Sequence, residues 1–238
     1  MSTPETAHPG FRGVIAVDGP SGSGKSSVCR AVARQLGLRY LDTGAMYRAV
    51  TWAALDRGVD LADRRAVATL CRALVLDITT DPASPGIAVD GVDVTGAIRQ
   101  TRISESVSAI ATNLDVRADL IARQQAILAE EKGPGIIAEG RDITTVVAPD
   151  ADVRLLLTAD ENARIARRAR ELHGTDDADA LAATHAQVAT RDKRDSTVVD
   201  FLAAADGVVE IDTSALTFDQ VVATVLRVVS ETAGAGIR

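Results

Sequence analysis

The feature that most constrains this chain of 238 residues is the stretch VIAVDGPSGSGKSSVCRAVARQLG at residues 14–37. It opens with VIAVD, a short apolar run that is typical of a strand buried on both faces of a parallel sheet. It closes with SSVCRAVARQLG, where apolar residues recur at helical spacing and a glycine is suited to ending the helix. A loop of glycine and serine with one lysine joins the two. Such a loop loses conformational entropy when it becomes ordered, so we expect a bound ligand to stabilise it.

This loop, residues 19–26, matches the pattern G-x-x-x-x-G-K-[ST] and stands between a strand and a helix, as that motif requires. Glycines let backbone N–H groups surround phosphate oxygens, and the helix N-terminus adds donors and a favourable dipole. Lys25 can reach the β- and γ-phosphates, and the Ser26 hydroxyl is placed to bind Mg²⁺. The alternative, a linker without a ligand, is disfavoured by this context. We expect a nucleoside triphosphate to contact Gly19, Ser21, Gly22, Ser23, Gly24, Lys25, Ser26 and Ser27.

The rest of the chain alternates strand-like and helix-like segments. The further strand-like segments are RYLD (39–42), GIIAE (135–139), VRLLLT (153–158) and GVVEID (207–212). This alternation predicts an α/β fold with a parallel sheet of five strands flanked by helices, whose ligands bind beyond the carboxyl ends of the strands.

Two regions interrupt this alternation of strands and helices. Residues 74–94 carry the turn signals DPASPG and DG, which predict a small antiparallel insert, and residues 160–202 are rich in arginine at both ends.

Net charge, cysteine content and the absence of long apolar runs limit the partners and the location that we expect for this chain. The net charge of −7 disfavours non-specific binding to nucleic acid or to an anionic membrane surface. Cys29 and Cys71 form neither a disulfide framework nor a metal-binding pattern, which favours the reducing cytoplasm. Residues 1–12 lack an apolar signal region and are predicted to be a disordered tail, and no later run reaches membrane-spanning length. Because no interface stripe is evident, we expect a monomer.

Two classes of phosphate-loop protein compete. A nucleotide-hydrolysing switch would need an N-K-x-D segment that reads the base, which is absent, and a motor usually has a strand that ends in aspartate, where GIIAEGRD has Glu139. A kinase for a small molecule must neutralise two polyanions and exclude water, which arginines from separate segments achieve. Arg164 and Arg168, one turn apart, also fit an ordinary solvated face. The arginines available to a kinase are Arg48, Arg141, Arg164, Arg167, Arg168, Arg191 and Arg194.

Several motifs together resemble those of the bacterial cytidylate kinases, which belong to the nucleoside-monophosphate kinases of the P-loop group. They are DGPSGSGKSS, YLDTGAMYRA, GVDVTGAIR, AEGRDI with TVVAPDADV, and RDKRDST, and the likeness covers about residues 14–229. The resemblance implies transfer of the γ-phosphoryl group of ATP, assisted by Mg²⁺, to CMP or dCMP. It also implies a P-loop NTPase-like core with inserted substrate-binding and lid subdomains. The divisions are an ATP-binding core (13–41, 135–159 and 203–238), a monophosphate-binding subdomain (42–134) and a lid (160–202).

The resemblance also assigns roles on the acceptor side. Arg48 and Arg141 are expected to hold phosphate, for which a guanidinium fork is suited. Asp142 is expected to accept a hydrogen bond from the cytosine amino group. In uracil the same position carries a carbonyl oxygen, which would leave the carboxylate without a donor. The remaining residues expected to contact the monophosphate are Thr43, Ser108, Arg117, Arg191 and Asp195.

On the donor side, the resemblance implies a lid whose arginines close over ATP, with Arg167 contacting the nucleotide. Because acceptor phosphate oxygens are already nucleophilic, catalysis consists mainly of in-line positioning and charge neutralisation. Asp18 and Asp42 either orient waters on Mg²⁺ or hydrogen-bond the loop. The groups expected to stabilise the transferring phosphoryl are Lys25, Arg141, Arg164 and Arg168.

Two positions depart from the family pattern. Val198 stands where the family commonly has an arginine, which predicts weaker use of CMP, and Thr144 stands where glycine is usual. Threonine tolerates neither positive φ nor close backbone approach, so a disturbance is expected there. Two alternatives therefore stay open: another small-molecule kinase of the same fold, or a nucleotide-binding paralogue with weakened catalysis.

Overall fold

The structure, a computed structural model, describes residues 11–130 and 133–235, with the side chains of all of these except 171–173, 186–191 and 233–235. Most of the predicted disordered tail, residues 1–12, therefore lies outside the described residues. At its end, the Phe11 carbonyl oxygen accepts a hydrogen bond from the Gly135 N–H at 3.1 Å. The ordered chain thus begins earlier than residue 13.

A parallel sheet of five strands forms the centre of the fold and confirms the prediction. The strands of the described residues are β1 (Val14–Asp18), β2 (Arg39–Asp42), β3 (Leu76–Thr79), β4 (Gly86–Val89), β5 (Val92–Asp93), β6 (Ile136–Gly140), β7 (Val153–Thr158) and β8 (Val209–Asp212). The central sheet has the order β2-β6-β1-β7-β8, and all its neighbours are parallel. The pairing places Asp18, at the end of β1, beside Gly140, at the end of β6.

Helices follow most strands and cover both faces of the sheet. They are α1 (Lys25–Leu36), α2 (Thr43–Asp56), α3 (Arg64–Ala73), α4 (Thr101–Ala111), α5 (Leu114–Leu128), α6 (Glu161–His173), α7 (Ala178–Asp195) and α8 (Phe218–Ala235). Short turns of 3-10 helix (Ala97–Arg99) and π-helix (Ile143–Val147) complete the described elements. Within the described ranges, no helix combines the length and the apolar composition that a bilayer crossing needs.

The core has two layers, one on each face of the central sheet. On one face, α1 and α8 bury side chains such as Val32 and Val225 against Ile15 and Ile137. On the other face, α2 lies against the sheet and also contacts α4 and the smaller sheet. Successive residues of β1 therefore serve opposite layers: Ile15 belongs to the first and Ala16 to the second. This two-sided burial explains why the strand is an apolar run without alternation.

The region at residues 74–94 forms an antiparallel sheet of three strands in the order β3-β4-β5. Its last turn contains Asp90 at φ 49° and Gly91 at φ 80°, the pair of positive φ values that a tight Asp-Gly hairpin needs. The Asp90 carboxylate accepts from the Val75 N–H at 2.9 Å and pairs with Arg57. Ile87 and Val89 turn inward onto the core layer that contains α2.

The helix that follows the phosphate loop starts without a side-chain cap, unlike α2, α3 and α5. Side-chain oxygens of Asp42, Asp63 and Asn113 accept hydrogen bonds from the first backbone N–H groups of α2, α3 and α5. In α1 the corresponding residue is Gly24, at φ 86°, and no side chain caps the first turn. The N-terminal donors of α1 therefore stay directed at the loop, where an anion can bind them.

Asp18 ties the end of β1 to the turn after β6. Its carboxylate accepts from the backbone N–H groups of Ile143 at 2.9 Å and Thr144 at 2.8 Å, and from the Thr144 hydroxyl at 2.6 Å. All three residues are buried. The disturbance expected at Thr144 is absent, because the described non-glycine residue with positive φ is Asp90. Threonine instead adds a third hydrogen bond to a buried carboxylate. Burial raises the pKa of Asp18, although these hydrogen bonds act in the opposite direction.

We expect Thr144→Val to lower the free energy of unfolding by about 1–3 kcal/mol, because a buried acceptor loses its hydroxyl donor while the shape of the side chain is kept. Urea unfolding followed by circular dichroism measures the difference. Thr144→Ser retains the donor and is the matched control, with a smaller loss. Equal stability of the valine variant and the natural chain would show that the hydroxyl contributes nothing.

Candidate active site

An open cleft of about 920 Å³ lies at the carboxyl edge of β1, β2 and β6. The phosphate loop with the start of α1 and the segment that follows β8 both line the cleft, and they touch where the Thr213 hydroxyl donates to the Ser23 carbonyl oxygen at 3.3 Å. Arginines from several elements face the same cleft. They are Arg30, Arg48, Arg99, Arg141, Arg167, Arg168 and Arg170. A cleft with this much positive charge, in a chain with a net charge of −7, is suited to a polyanion held by local groups.

The conformation of the phosphate loop requires glycine at two positions. Gly19 has φ 155°, and a Cβ atom there would lie 2.3 Å from the Leu157 carbonyl oxygen. Gly22 has φ 79°, and a Cβ atom there would lie 2.4 Å from the Arg164 carbonyl oxygen. The loop is therefore in close contact with both β7 and α6. Lys25 extends back over the loop, where its Nζ donates to the Pro20 carbonyl oxygen at 3.2 Å.

Two acidic side chains lie at the base of the loop. Glu139, 2% exposed, accepts from the Tyr40 hydroxyl at 2.6 Å and is also hydrogen-bonded by Ser26. Burial, and then the charge of Asp42, raise the pKa of Glu139. Burial also acts to raise the pKa of Asp42, but the Arg48 guanidinium and the Ala45 N–H outweigh it, so that pKa is lowered. Asp42 is accordingly the more acidic of the two carboxyl groups.

These groups fit a magnesium ion. The Ser26 hydroxyl and the two carboxylates are oxygen donors, which Mg²⁺ prefers, and the ion commonly keeps several waters that such carboxylates can orient. Sequence reasoning considered Asp42 for this task but missed Glu139, which it used only to set aside a motor protein. The signal was available: Glu139 is an acid near the end of a buried strand. What was not available was that β6 lies directly beside β1.

Arg141 meets the phosphate loop and α7 at one point. Its Nη1 donates to the Gly19 carbonyl oxygen at 3.2 Å, and its Nε donates to Asp195 Oδ2 at 2.7 Å. Its Nη2 lies 3.3 Å from Asp192 Oδ1, and the guanidinium stacks on Phe201 at 4.6 Å from the ring centroid. The structure thus brings Arg141 and Asp195 together with the loop. Phe201 and Asp192 were not expected from the sequence.

The arginines of the predicted lid lie in different parts of the site. Arg164 donates to the Ser21 carbonyl oxygen at 3.0 Å and also pairs with Asp192, so it lies against the loop. Arg167 donates to the Thr213 hydroxyl at 2.8 Å and to the Thr213 carbonyl oxygen at 2.6 Å, on the wall that follows β8. Arg168 lines the cleft. Residues 160–202, which were predicted to form a lid, therefore supply cations both to the phosphate loop and to the segment that follows β8.

Cytosine recognition was predicted to involve Asp142, Arg117 and Ser108. Asp142 pairs with Arg117 on α5 at 2.5 Å, and their side chains are 6% and 11% exposed. The Ser108 hydroxyl donates to Asp195 Oδ1 at 3.0 Å, so Ser108 joins the Arg141 group instead of the Arg117–Asp142 pair. Tyr47 lies near that pair: burial, and then the charge of Asp142, raise the pKa of its hydroxyl.

The other predicted acceptor residues lie along the same edge. Arg48 donates to Asp42 at 2.8 Å and lines the cleft. The Thr43 hydroxyl donates to the Glu139 carbonyl oxygen at 2.7 Å, so it joins α2 to β6. The Arg191 side chain lies outside the described residues. Apart from that residue, the structure places the predicted acceptor residues around the ends of β2 and β6 and on the helices that pack there.

Comparisons with known proteins identify the family of this chain. The family model for cytidylate kinase matches residues 15–231. A cytidylate kinase of Streptomyces griseus subsp. griseus is 46% identical over 229 residues, which cover 96% of both chains. A cytidylate kinase of Rhodococcus opacus is 47% identical over 224 residues, or 94% of this chain and 97% of the relative. A solved gluconokinase of Sinorhizobium meliloti 1021 covers 95% of this chain and 96% of its own, with TM-score 0.52 and 16% identity, and supports the fold alone. The chain therefore belongs to the cytidylate kinase family.

Proposed function

We propose that this protein is a nucleoside-monophosphate kinase that transfers the γ-phosphoryl group of ATP to CMP or dCMP, giving ADP and CDP or dCDP. The observation that carries the proposal is the arrangement of two consecutive residues. Arg141 contacts the phosphate loop at Gly19, whereas Asp142 pairs with Arg117 on α5. A group that serves the transferred phosphate and a group that recognises the base are thereby held on one short turn. The family membership supports the same reading.

On the donor side, the phosphate loop and the first turn of α1 supply backbone N–H groups to ATP, and Lys25 binds the β- and γ-phosphates. Ser26, with Asp42 and Glu139 beside it, would hold Mg²⁺. When bound, that ion supplies further neutralisation of the phosphate charge. Arg167, fixed on Thr213, lies on the wall where the nucleotide is held, and it contacts the donor from the lid.

On the acceptor side, Arg48 binds the phosphate of the monophosphate, and Arg191 with Asp195 contacts its sugar and phosphate. The Asp142 carboxylate accepts from the cytosine amino group, and Arg117 donates to the carbonyl and ring nitrogen. Ser108 and Thr43 contribute hydroxyl groups to the same side. A carboxylate left facing the uracil carbonyl oxygen would lose its donor, which disfavours UMP.

The transfer itself needs no strong base. An oxygen of the acceptor phosphate forms a bond to the γ-phosphorus while the bond from that phosphorus to the β–γ bridging oxygen breaks, and this oxygen leaves with ADP. Lys25, Arg141, Arg164 and Arg168 neutralise the charge that is spread over the transferring group. The lid excludes water, which would otherwise accept the phosphoryl group.

A coupled assay of ADP formation tests the function. With ATP and Mg²⁺, we expect turnover with CMP and dCMP, much less with UMP, and a negligible rate with AMP or with no acceptor. Turnover with another acceptor alone would indicate a different kinase of the same fold. No turnover with any acceptor would indicate a nucleotide-binding paralogue.

We further propose that the protein acts as a monomer in the cytoplasm. Sedimentation tests the oligomeric state, and cell fractionation tests the location.

Base selectivity is expected to depend on Asp142. We predict that Asp142→Asn lowers kcat/KM for CMP by about 10- to 100-fold, equivalent to about 1.4–2.8 kcal/mol, and narrows the preference for CMP over UMP. The reason is that an amide can donate to the uracil carbonyl oxygen, whereas a carboxylate cannot. Asp77→Asn, on the exposed face of β3, is the matched control. An unchanged CMP-to-UMP ratio would show that Asp142 does not read the base.

The departure at Val198 generates a further prediction. Its N–H lies 3.3 Å from the Asp195 carbonyl oxygen, so it belongs to the turn that carries an acceptor-binding residue. We expect Val198→Arg to raise kcat/KM for CMP by about 3- to 10-fold, through one added charge-assisted hydrogen bond, and to leave the KM for ATP nearly unchanged. Val198→Met is the control, because methionine is also a long, unbranched side chain but lacks the charge of arginine. No gain, or a loss, would show that another group fills this role.

A further inference from the structure

Asp192, near the end of α7, joins three separate parts of the active site. Its Oδ1 accepts from Arg141 Nη2 and from the Ser21 backbone N–H, each at 3.3 Å. Its Oδ2 accepts from Arg164 Nη1. One carboxylate therefore contacts the turn after β6, the lid helix α6 and the phosphate loop at once. Neither the motif analysis nor the resemblance assigned a role to this residue.

The position of Asp192 addresses an electrostatic problem. Arg141 and Arg164 arise from different elements, yet both guanidinium groups reach the front of the phosphate loop, at Gly19 and Ser21 respectively. Their side chains are 14% and 12% exposed, and that of Asp192 is 9% exposed. Like charges in such a dry site repel strongly, because little water screens them. A carboxylate shared between them offsets this repulsion and sets the distance between the two groups.

We propose that Asp192 is a positioning residue for phosphoryl transfer, an inference that rests on the proposed kinase function. Its carboxylate holds Arg141 and Arg164 side by side at the phosphate loop before the substrates arrive. Asp195, one turn nearer the C-terminus of α7, accepts from Arg141 Nε and from the Ser108 hydroxyl. Asp192 accepts from Arg141 and also from Arg164 on α6.

This role predicts a distinctive kinetic effect. Arginines that are already placed lower the barrier, since no reorganisation is needed as charge develops on the transferring group. Loss of the placement therefore affects the transition state more than the binding of either nucleotide. The fold of α7 should survive the loss, because the helix has its own cap at Asp177 and buries Ala180 and Thr184 at its other end.

The test uses the full chain in the coupled assay, with ATP and CMP each varied while the other is saturating. We expect Asp192→Asn to lower kcat by about 10- to 100-fold, while both KM values change less than about threefold. This pattern is expected because the variant loses an interaction that is made only in the transition state. Asp192→Glu keeps the charge and is expected to lose less activity. Asp179→Asn makes the same change at an exposed site in the first turn of α7 and is expected to match the natural chain. Thermal melts confirm that each variant is folded.

A double-mutant cycle with Arg164→Gln separates positioning from a general structural effect. If Asp192 acts by holding Arg164 beside Arg141, then Asp192→Asn lowers kcat by a clearly smaller factor once Arg164 is replaced, because only the placement of Arg141 is left to lose. Additive losses, or a raised KM with kcat unchanged, overturn the proposal. If Asp192→Asn does not fold, the cycle is run with Asp192→Glu, and additivity there also overturns it. A natural chain that makes no ADP with CMP overturns the kinase function itself, which is a separate result.

Discussion

The parallel pairing of β1 with β6 at the centre of the sheet is the constraint on which the active site depends. It places Asp18 beside Gly140, so the loop that leaves one strand and the turn that leaves the other share the same edge. From this single adjacency follow the hydrogen bonds of Asp18 to the turn after β6, the contact of Ser26 with Glu139, and the contact of Arg141 with Gly19. A sheet with another strand order would carry the same motifs and assemble none of these contacts.

Charge is balanced locally around the cleft. Arg48 pairs with Asp42, Arg117 with Asp142, and Arg141 and Arg164 share Asp192. These pairs are mostly buried, so each guanidinium would be poorly solvated without its carboxylate. In the proposed reaction the phosphates of ATP and CMP meet several arginines that already have carboxylate partners, and these arginines exchange or share their partners. A chain with an acidic overall balance can thus bind two polyanions.

The departures from the family pattern have different meanings in the structure. Thr144 lies in a turn without positive φ, and its hydroxyl adds a hydrogen bond to Asp18, while the effect of this departure on activity stays a prediction. Val198 follows α7 directly and lies on the segment between Asp195 and Phe201, the two residues that contact Arg141 by charge and by stacking. A missing cation at this place bears on the acceptor site, and its effect stays a prediction.

The sequence by itself determined the local features. Apolar runs and helical spacing predicted the parallel sheet, and the order of residues in the phosphate loop predicted its conformation, because each depends on neighbours along the chain. The resemblance named Arg141, Asp142 and Asp195, which the structure places near one another. Only the tertiary structure decided that Glu139 reaches Ser26, and that Asp192 joins Arg141 to Arg164. These contacts span large separations in sequence, and a carboxylate that neutralises distant arginines has no pattern of its own along the chain.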